Sequence, residues 1–220
     1  MAAGEEVPRA PLALGKCRTC GLVQLRDKIP IKELYGANYG YESHINSSMK
    51  THLINTAQFL QSFQGLQSGD IVVDIASNDG TLLSGYSISN LKLIGIDPLI
   101  RYLGHNYPKN CIKVPHFYSK EKYFSVEPKK AKLITSFSVF YDLDNPILFA
   151  QDINAILADD GIWVLEQSYL PTMIKNLGFD TICHEHLLYL TLNDIAKICS
   201  MSELEIFDFK LNDINGGSAQ

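Results

Sequence analysis

The chain has 220 residues, of which 46% are hydrophobic, 10% aromatic and 20% charged, with 15 Gly and 9 Pro. Its mean hydropathy is near zero, a profile that excludes disorder, collagen and coiled coil, and the length can bury a core without disulfide staples. With 19 Lys+Arg against 24 Asp+Glu and a net charge of -5, it carries no basic field for a phosphate backbone, so nucleic acid is not an expected partner.

No apolar run approaches the roughly 18 residues that cross a bilayer. Met1 to Gly15 also lacks the basic start and apolar stretch of a signal peptide. No membrane partner is expected, and the expected location is cytoplasmic. Residues 1–16, with Pro8 and Pro11 among small residues, read as a flexible lead-in. Residues 17–45 are rich in Tyr and Gly without a sustained period and read as a compact, loop-rich segment. From Met49 the spacing of Leu53, Ala57 and Leu60 predicts an amphipathic helix, with Ser47 or Ser48 as its N-cap and Gly65 as its stop.

From Asp70 onward short apolar runs alternate with helical stretches. Six strands are predicted, at 71–75, 91–96, 111–114, 133–137, 162–165 and 204–209, each an apolar run suited to a strand covered on both faces. The intervening helices are predicted at about 80–86, 98–106, 119–125, 146–158 and 192–200. The clearest is 146–158, with Asn145 able to cap, Pro146 in the first turn and Gly161 beyond the end. The alternation predicts an α/β fold with a doubly wound, mostly parallel sheet.

In such sheets the ligand sits beyond the carboxyl end of the first strand. Here that segment reads Val72-Val73-Asp74-Ile75-Ala76-Ser77-Asn78-Asp79-Gly80, and the second strand ends in Gly95-Ile96-Asp97-Pro98. Asp97 stands where a carboxylate can accept both ribose hydroxyls of an adenosine. A dinucleotide needs bare glycine backbone at its pyrophosphate, but this loop has Ala76, Asn78 and only Gly80, with Asp74 and Asp79 beside it. Two carboxylates repel a pyrophosphate and suit the sulfonium and ammonium of S-adenosylmethionine. The loop therefore favours a methyl donor over NAD. The plainer alternative is that Asp74 and Asp79 only cap the next helix.

Three further stretches carry a family resemblance: Tyr39-Gly-Tyr41-Glu-Ser43 with Asn46-Ser-Ser-Met49; Ser138-Val-Phe140-Tyr141-Asp142-Leu143; and Glu166-Gln-Ser-Tyr169-Leu-Pro171 continuing to Asp180-Thr-Ile-Cys183-His184-Glu185-His186-Leu-Leu-Tyr189. Together with Asp74 to Leu83 they resemble the S-adenosylmethionine-dependent sugar C-methyltransferases that act on nucleotide-linked ketosugars. The resemblance implies a class I, Rossmann-like methyltransferase fold and a nucleotide-linked ketosugar as partner. It implies His186 as the base that removes a proton beside the ketone, with Glu185 orienting it or contacting the sugar. Where this chain has Cys183 the family can have Tyr; a thiol is a weaker donor, so that role can pass to Tyr41, Tyr189 or His184. Phe137, Phe140 and Tyr141, at the tip of the fourth strand, are expected to bind the donor, with core packing as the alternative. His184 and His186 could instead pair on a metal or bond backbone at the sheet edge.

Of five cysteines, Cys111, Cys183 and Cys199 are isolated and read as buried free thiols. Cys17-Arg18-Thr19-Cys20-Gly21-Leu22 has the form of a zinc knuckle. A structural zinc needs four ligands, and no Cys or His precedes Cys17. The resembled family carries a second Cys pair upstream, which implies a half site here, unfilled or weakly filled; His44 or His52 could complete a site in principle. The expected domains are thus a partial zinc module at 17–45 and, at 46–220, a donor-binding domain lacking its seventh strand, the antiparallel one between the fifth and sixth. Two further functions stay open: an inactive fragment that only binds the donor, and an NAD-dependent sugar oxidoreductase. The oligomeric state is not legible in the sequence.

Overall fold

The computed structural model describes residues 9–35 and 39–220; residues 1–8 of the expected lead-in and Gly36 of the Tyr/Gly-rich segment lie outside them. In chain order the elements are β1 (Leu14–Lys16), β2 (Val23–Leu25), α1 (Ile31–Leu34), α2 (Ser47–Phe63), β3 (Ile71–Ile75), β4 (Lys92–Ile96), α3 (Ile100–Leu103), β5 (Ile112–Val114), α4 (Lys120–Phe124), β6 (Ala131–Phe137), α5 (Pro146–Ile156), β7 (Leu157–Ser168), α6 (Leu170–Asn176), β8 (Leu188–Tyr189), α7 (Leu192–Ser200), β9 (Leu211–Asn212) and β10 (Ser218–Ala219). Among the described residues no helix is long and apolar enough to cross a membrane.

The larger sheet has seven strands in the order β5-β4-β3-β6-β7-β10-β9. β3 runs parallel to β4 and β6, and β4 parallel to β5, whereas β10 is antiparallel to both β7 and β9. The α/β, mostly parallel architecture is the expected one, but two expectations fail. No strand forms at 204–209, and the seventh strand is present. Asn215, Gly216 and Gly217 all have positive φ (52°, 77° and 125°), a conformation that Gly and Asn accept most readily. They reverse the chain so that Ser218 and Ala219 pair with Ser168 and Gln167 on one side and with Asn212 and Leu211 on the other. Two-residue strands carry no readable period, and so the last two strands escape a pattern reading.

The chain divides into two compact units. One comprises residues 40–137 and 151–165, the other 1–39, 138–150 and 166–220. In the first, Leu60 and Leu66 from the end of α2 and beyond it pack with Val72, Leu83, Leu93, Tyr107 and Leu133 as a buried core. Helix α2 starts at Asn46, whose side chain accepts from Ser48 N and Met49 N; the cap lies one or two residues before the expected serines. Gly65 ends it at φ 62°, with Leu66 N–H returning to Gln61 O. The helix expected at 80–86 is only a 3-10 turn at Leu83–Gly85. There the Gly85 backbone presses on α2: a Cβ on it would lie 2.8 Å from Ala57 Cβ.

In the second unit the segment expected to be irregular forms a hairpin. β1 pairs with β2, and β2 pairs with β8, a three-stranded antiparallel sheet that joins residues far apart in the chain. Leu25, Met173 and Tyr189 are buried beneath it. Helix α7 has the expected bounds and a capping box: Thr191 Oγ1 accepts Asp194 N–H while Asp194 accepts Thr191 N–H.

Candidate functional site

Within the first unit, β3 delivers its carboxyl end to a loop with an unusual backbone. Ala76 (φ 58°), Asn78 (φ 47°) and Gly80 (φ 86°) are all left-handed. Ala76 and Asn78 thus hold conformations that glycine adopts without cost, so the glycine-type path is kept without the glycines. Six hydrogen bonds fix it. Ala76 N–H donates to Ile96 O at 2.8 Å. Asn78 N–H donates to Asp97 Oδ2 at 2.9 Å. Tyr107 OH donates to Asn78 O at 3.0 Å and meets Ser77 Oγ at 2.7 Å. Finally, the Asn78 side chain accepts from Ser43 N at 3.0 Å and donates to Tyr41 O at 3.0 Å.

Tyr107 is a residue that the sequence reading missed. Its ring lies so close beneath the loop that a Cβ on Gly80 would sit 2.6 Å from it, and a Cβ on Gly95 would sit 2.4 Å from it. The glycine at Gly95, in the middle of β4, was the legible half of this contact.

Three carboxylates converge on the loop. Asp74, at the end of β3, accepts from Thr135 Oγ1 at 2.7 Å. Burial pushes its carboxyl up to about 7, against the Thr135 hydrogen bond and with further upward pressure from Asp97 and Asp79. Asp97 is also pushed up by burial, which outweighs the backbone N–H groups of Leu99 and Asn78 that it accepts. Burial acts on Asp79 too, but hydrogen bonds from Thr81 and His44 prevail and hold it below its ordinary value. Only Asp79 caps the next turn of chain, accepting Thr81 N–H at 3.0 Å; Asp74 does not. Among the described residues no Lys or Arg pairs with Asp74 or Asp97, so the loop suits a cation and repels a pyrophosphate. Pro98 and Phe137 are half-buried, and burial pushes the phenol of Tyr41 up against a hydrogen bond with Ser43.

The second unit holds the other candidates. After a left-handed Ser138 (φ 54°), Phe140, Tyr141 and Asp142 form a buried 3-10 turn. Phe140 is fully enclosed and meets Phe149 edge-on, so its place is in the core rather than on a donor-facing surface. Tyr141 lies against the His186 ring, centroids 4.1 Å apart. His186 Nδ1 donates to Thr181 O at 2.8 Å. A carbonyl only accepts, so Nδ1 carries the proton and Nε2 keeps its lone pair. Burial holds this imidazole below its ordinary pKa, against the Thr181 bond. Burial also raises the Cys183 thiol, and Glu185 is half-buried in the same segment. His184 turns elsewhere, its Nε2 donating to Ala10 O at 2.8 Å; the two histidines do not converge.

Further residues here went unread in the sequence. Tyr35 OH donates to Asp142 Oδ2 at 2.7 Å, and burial raises both groups. Asp142 Oδ1 and both amide atoms of Gln167 are buried without a hydrogen-bond partner among the described residues. Buried polar groups are normally paired, so these atoms point to a polar ligand or ordered water.

Cys17 and Cys20 stand at the tip of the β1–β2 hairpin. Cys17 N–H donates to Leu22 O, and Gly21 (φ 86°) donates to Cys17 O. Backbone N–H groups of Cys20 and Thr19 aimed at the Cys17 sulfur bring its thiol down to about 7. Thiolates of this kind fit zinc, but they supply two of its four ligands.

The chain is 28% identical over 210 residues to the C-methyltransferase NovU of Streptomyces niveus, an alignment that covers 94% of this chain and 50% of the relative. It therefore spans about half the length of that curated relative. Among solved structures, the putative methyltransferase of Haloferax volcanii in complex with the Trm112 activator superposes with a TM-score of 0.58 at 14% identity, covering 74% of each chain. The plantazolicin methyltransferase BpumL, solved with a desmethylPZN analog and SAH, gives 0.57 at 17% identity, covering 76% of this chain and 69% of that one. At these identities the likeness speaks for the fold. Residues 45–207, carrying β3 to β8 and the acidic loop, match the family model described as Methyltransferase domain, and the chain belongs to that family.

Proposed function

We propose that this chain binds S-adenosylmethionine at Asp74, Ala76–Gly80 and Asp97 and methylates the carbon beside the ketone of a nucleotide-linked sugar. The observation that carries the reading is the tautomer of His186: Nδ1–H is held by Thr181 O, so the neutral ring presents Nε2 as a base. Methylation at carbon needs such a base, whereas methylation of a nucleophile that already has a lone pair does not. The donor, when bound, supplies an electrophilic methyl group on a sulfonium.

His186 Nε2 takes the proton α to the ketone, and the electron pair of that C–H bond moves into an enolate. Tyr141 packs on the imidazole and fixes its plane. The enolate carbon forms the new C–C bond as the S–CH3 bond breaks, which leaves the neutral thioether; the imidazolium then returns its proton to solvent. Asp74 and Asp97 favour the cationic donor over its neutral product by the same charge argument that excludes pyrophosphate. A nucleotide-linked sugar and the role of Glu185 follow from the family resemblance. The C-methyltransferase name of the NovU relative agrees with the reaction type.

The test has two parts. Calorimetric titration with S-adenosylhomocysteine should show binding that Asp97→Ala weakens; a folded protein that ignores this ligand and binds NADH would overturn the donor assignment. In D2O, with a nucleoside-diphosphate 4-ketosugar and no donor, the wild type should exchange the α proton for deuterium and His186→Ala should not. Equal exchange by both would remove His186 as the base.

A further inference from the structure

We propose that Glu42, His44 and His105 form a binding site for a divalent transition-metal ion, with zinc as the best match. These side chains each offer one ligand atom within 4.8 Å of the others, and they come from two separate turns of the first unit. Glu42 and His44 lie on the turn closed by Ile45 N–H to Glu42 O, and His105 follows α3 with its N–H on Leu103 O. His105 Nε2 stands 3.0 Å from Glu42 Oε2. Ligand atoms around a tetrahedral zinc stand about 3.3 Å apart, so the Glu42–His105 pair already stands close to the required spacing.

The cluster is also preorganised. Asp79, its side chain fully buried, accepts from both the backbone N–H and Nδ1 of His44, at 3.0 and 2.7 Å. It accepts from Asn106 Nδ2 at 3.2 Å as well, while Asn106 N–H reaches Asp79 O. A buried carboxylate that holds one ring nitrogen of a histidine and leaves the other to ligate is a recurrent device of metal sites; with Nδ1 on Asp79, His44 offers Nε2 to the ion, and one carboxylate anchors both ligand-bearing turns. The side chains of Glu42, His44 and His105 are 23%, 32% and 53% exposed, which leaves a path for an ion and room for a water as fourth ligand. Two imidazoles and one carboxylate favour zinc, cobalt, nickel or copper over magnesium or calcium. Such an ion would tie residues 42–44 to the turn after α3, next to the bond that Ser43 already makes to Asn78 in the loop after β3. The site stands whether or not the chain transfers methyl groups.

The test uses the full chain stripped by chelator and titrated with Co2+, then Zn2+, at slightly alkaline pH. Because the Cys17 and Cys20 thiols are themselves metal-ligand types, it is run on the wild type and on the Cys17→Ser/Cys20→Ser variant, with circular dichroism confirming the fold. One equivalent of Co2+ should bind with visible d–d bands and no thiolate charge-transfer band. Glu42→Gln and His105→Ala should each weaken it about tenfold or more. His105 is on the surface, so its variant keeps the fold. A cobalt spectrum carrying only thiolate bands in the wild type, or binding that Glu42→Gln and His105→Ala leave unchanged, overturns the proposal.

Discussion

Asp97 Oδ2 accepts the backbone N–H of Asn78 at 2.9 Å, so the carboxylate at the tip of the second strand holds the loop at the tip of the first. Its other oxygen takes Leu99 N–H at 2.7 Å. Asp97 therefore has a structural role beside the one proposed for it toward the donor. Asp97→Asn keeps one acceptor and strands one N–H, which should cost about 1–3 kcal/mol of stability in addition to weaker S-adenosylhomocysteine binding. Urea unfolding and calorimetry on the same preparation separate the two effects.

Asp74 makes stability depend on pH in an unusual direction. Its carboxyl is raised from 3.8 to about 7 in the fold, so between those values the native state holds a proton that the unfolded chain has released. Stability from this group is full below 3.8 and is lost as pH rises through about 7. Asp74→Asn, which still accepts from Thr135, should flatten that part of a pH series of urea midpoints and be the more stable protein at pH 8 by a few kcal/mol. A cationic ligand favours the ionised form, so S-adenosylmethionine, through its sulfonium, should bind more tightly as pH rises through about 7 in wild type and without that dependence in Asp74→Asn.

Gly95 exists to admit Tyr107. A methyl group there would lie 2.4 Å from Tyr107 Cε1 and 2.9 Å from Ser77 Oγ, so Gly95→Ala should destabilise by about 1–3 kcal/mol through overpacking. Tyr107→Phe keeps the ring and loses the bonds to Ser77 and Asn78, for about 1 kcal/mol. Denaturant unfolding of both variants checks the order.

Ala76 carries a strain that glycine would relieve. The left-handed conformation costs an alanine about 1–2 kcal/mol, while glycine adds about 0.4–1 kcal/mol of unfolded-state entropy. Ala76→Gly should be neutral to about 1 kcal/mol more stable by thermal or urea unfolding. Asn78→Gly should not gain, since it loses the side-chain bonds to Ser43 and Tyr41.

The acid limb of the pH–rate profile should fall below the ordinary histidine range, because burial lowers His186 despite the Thr181 bond. Rate then rises with pH through that lowered value as Nε2 becomes free. Thr181→Ala, which leaves the backbone acceptor in place, should leave the limb where it is.

The amino-acid pattern alone determined the parallel half of the sheet, α2, α5 and α7, because continuous apolar runs, helical spacing and capping residues act over a few neighbouring positions. It also made the acidic loop legible, with Asp74 and Asp97 at the strand tips where a ligand sits, since charge and the missing glycines are local facts. Tertiary structure alone decided the rest. The β1–β2 hairpin exists as a sheet because β8, from Leu188 and Tyr189, supplies its partner, and β10 exists because Asn215 to Gly217 turn Ser218 onto β7. Tyr107 fills the space left by Gly80 and Gly95, Phe140 goes to the core, and His184 goes to Ala10 while His186 goes to Thr181. Glu42, His44 and His105 meet only because Asp79 anchors both turns. Each of these depends on contacts between residues distant in the chain, where no local period, cap or turn signal reaches.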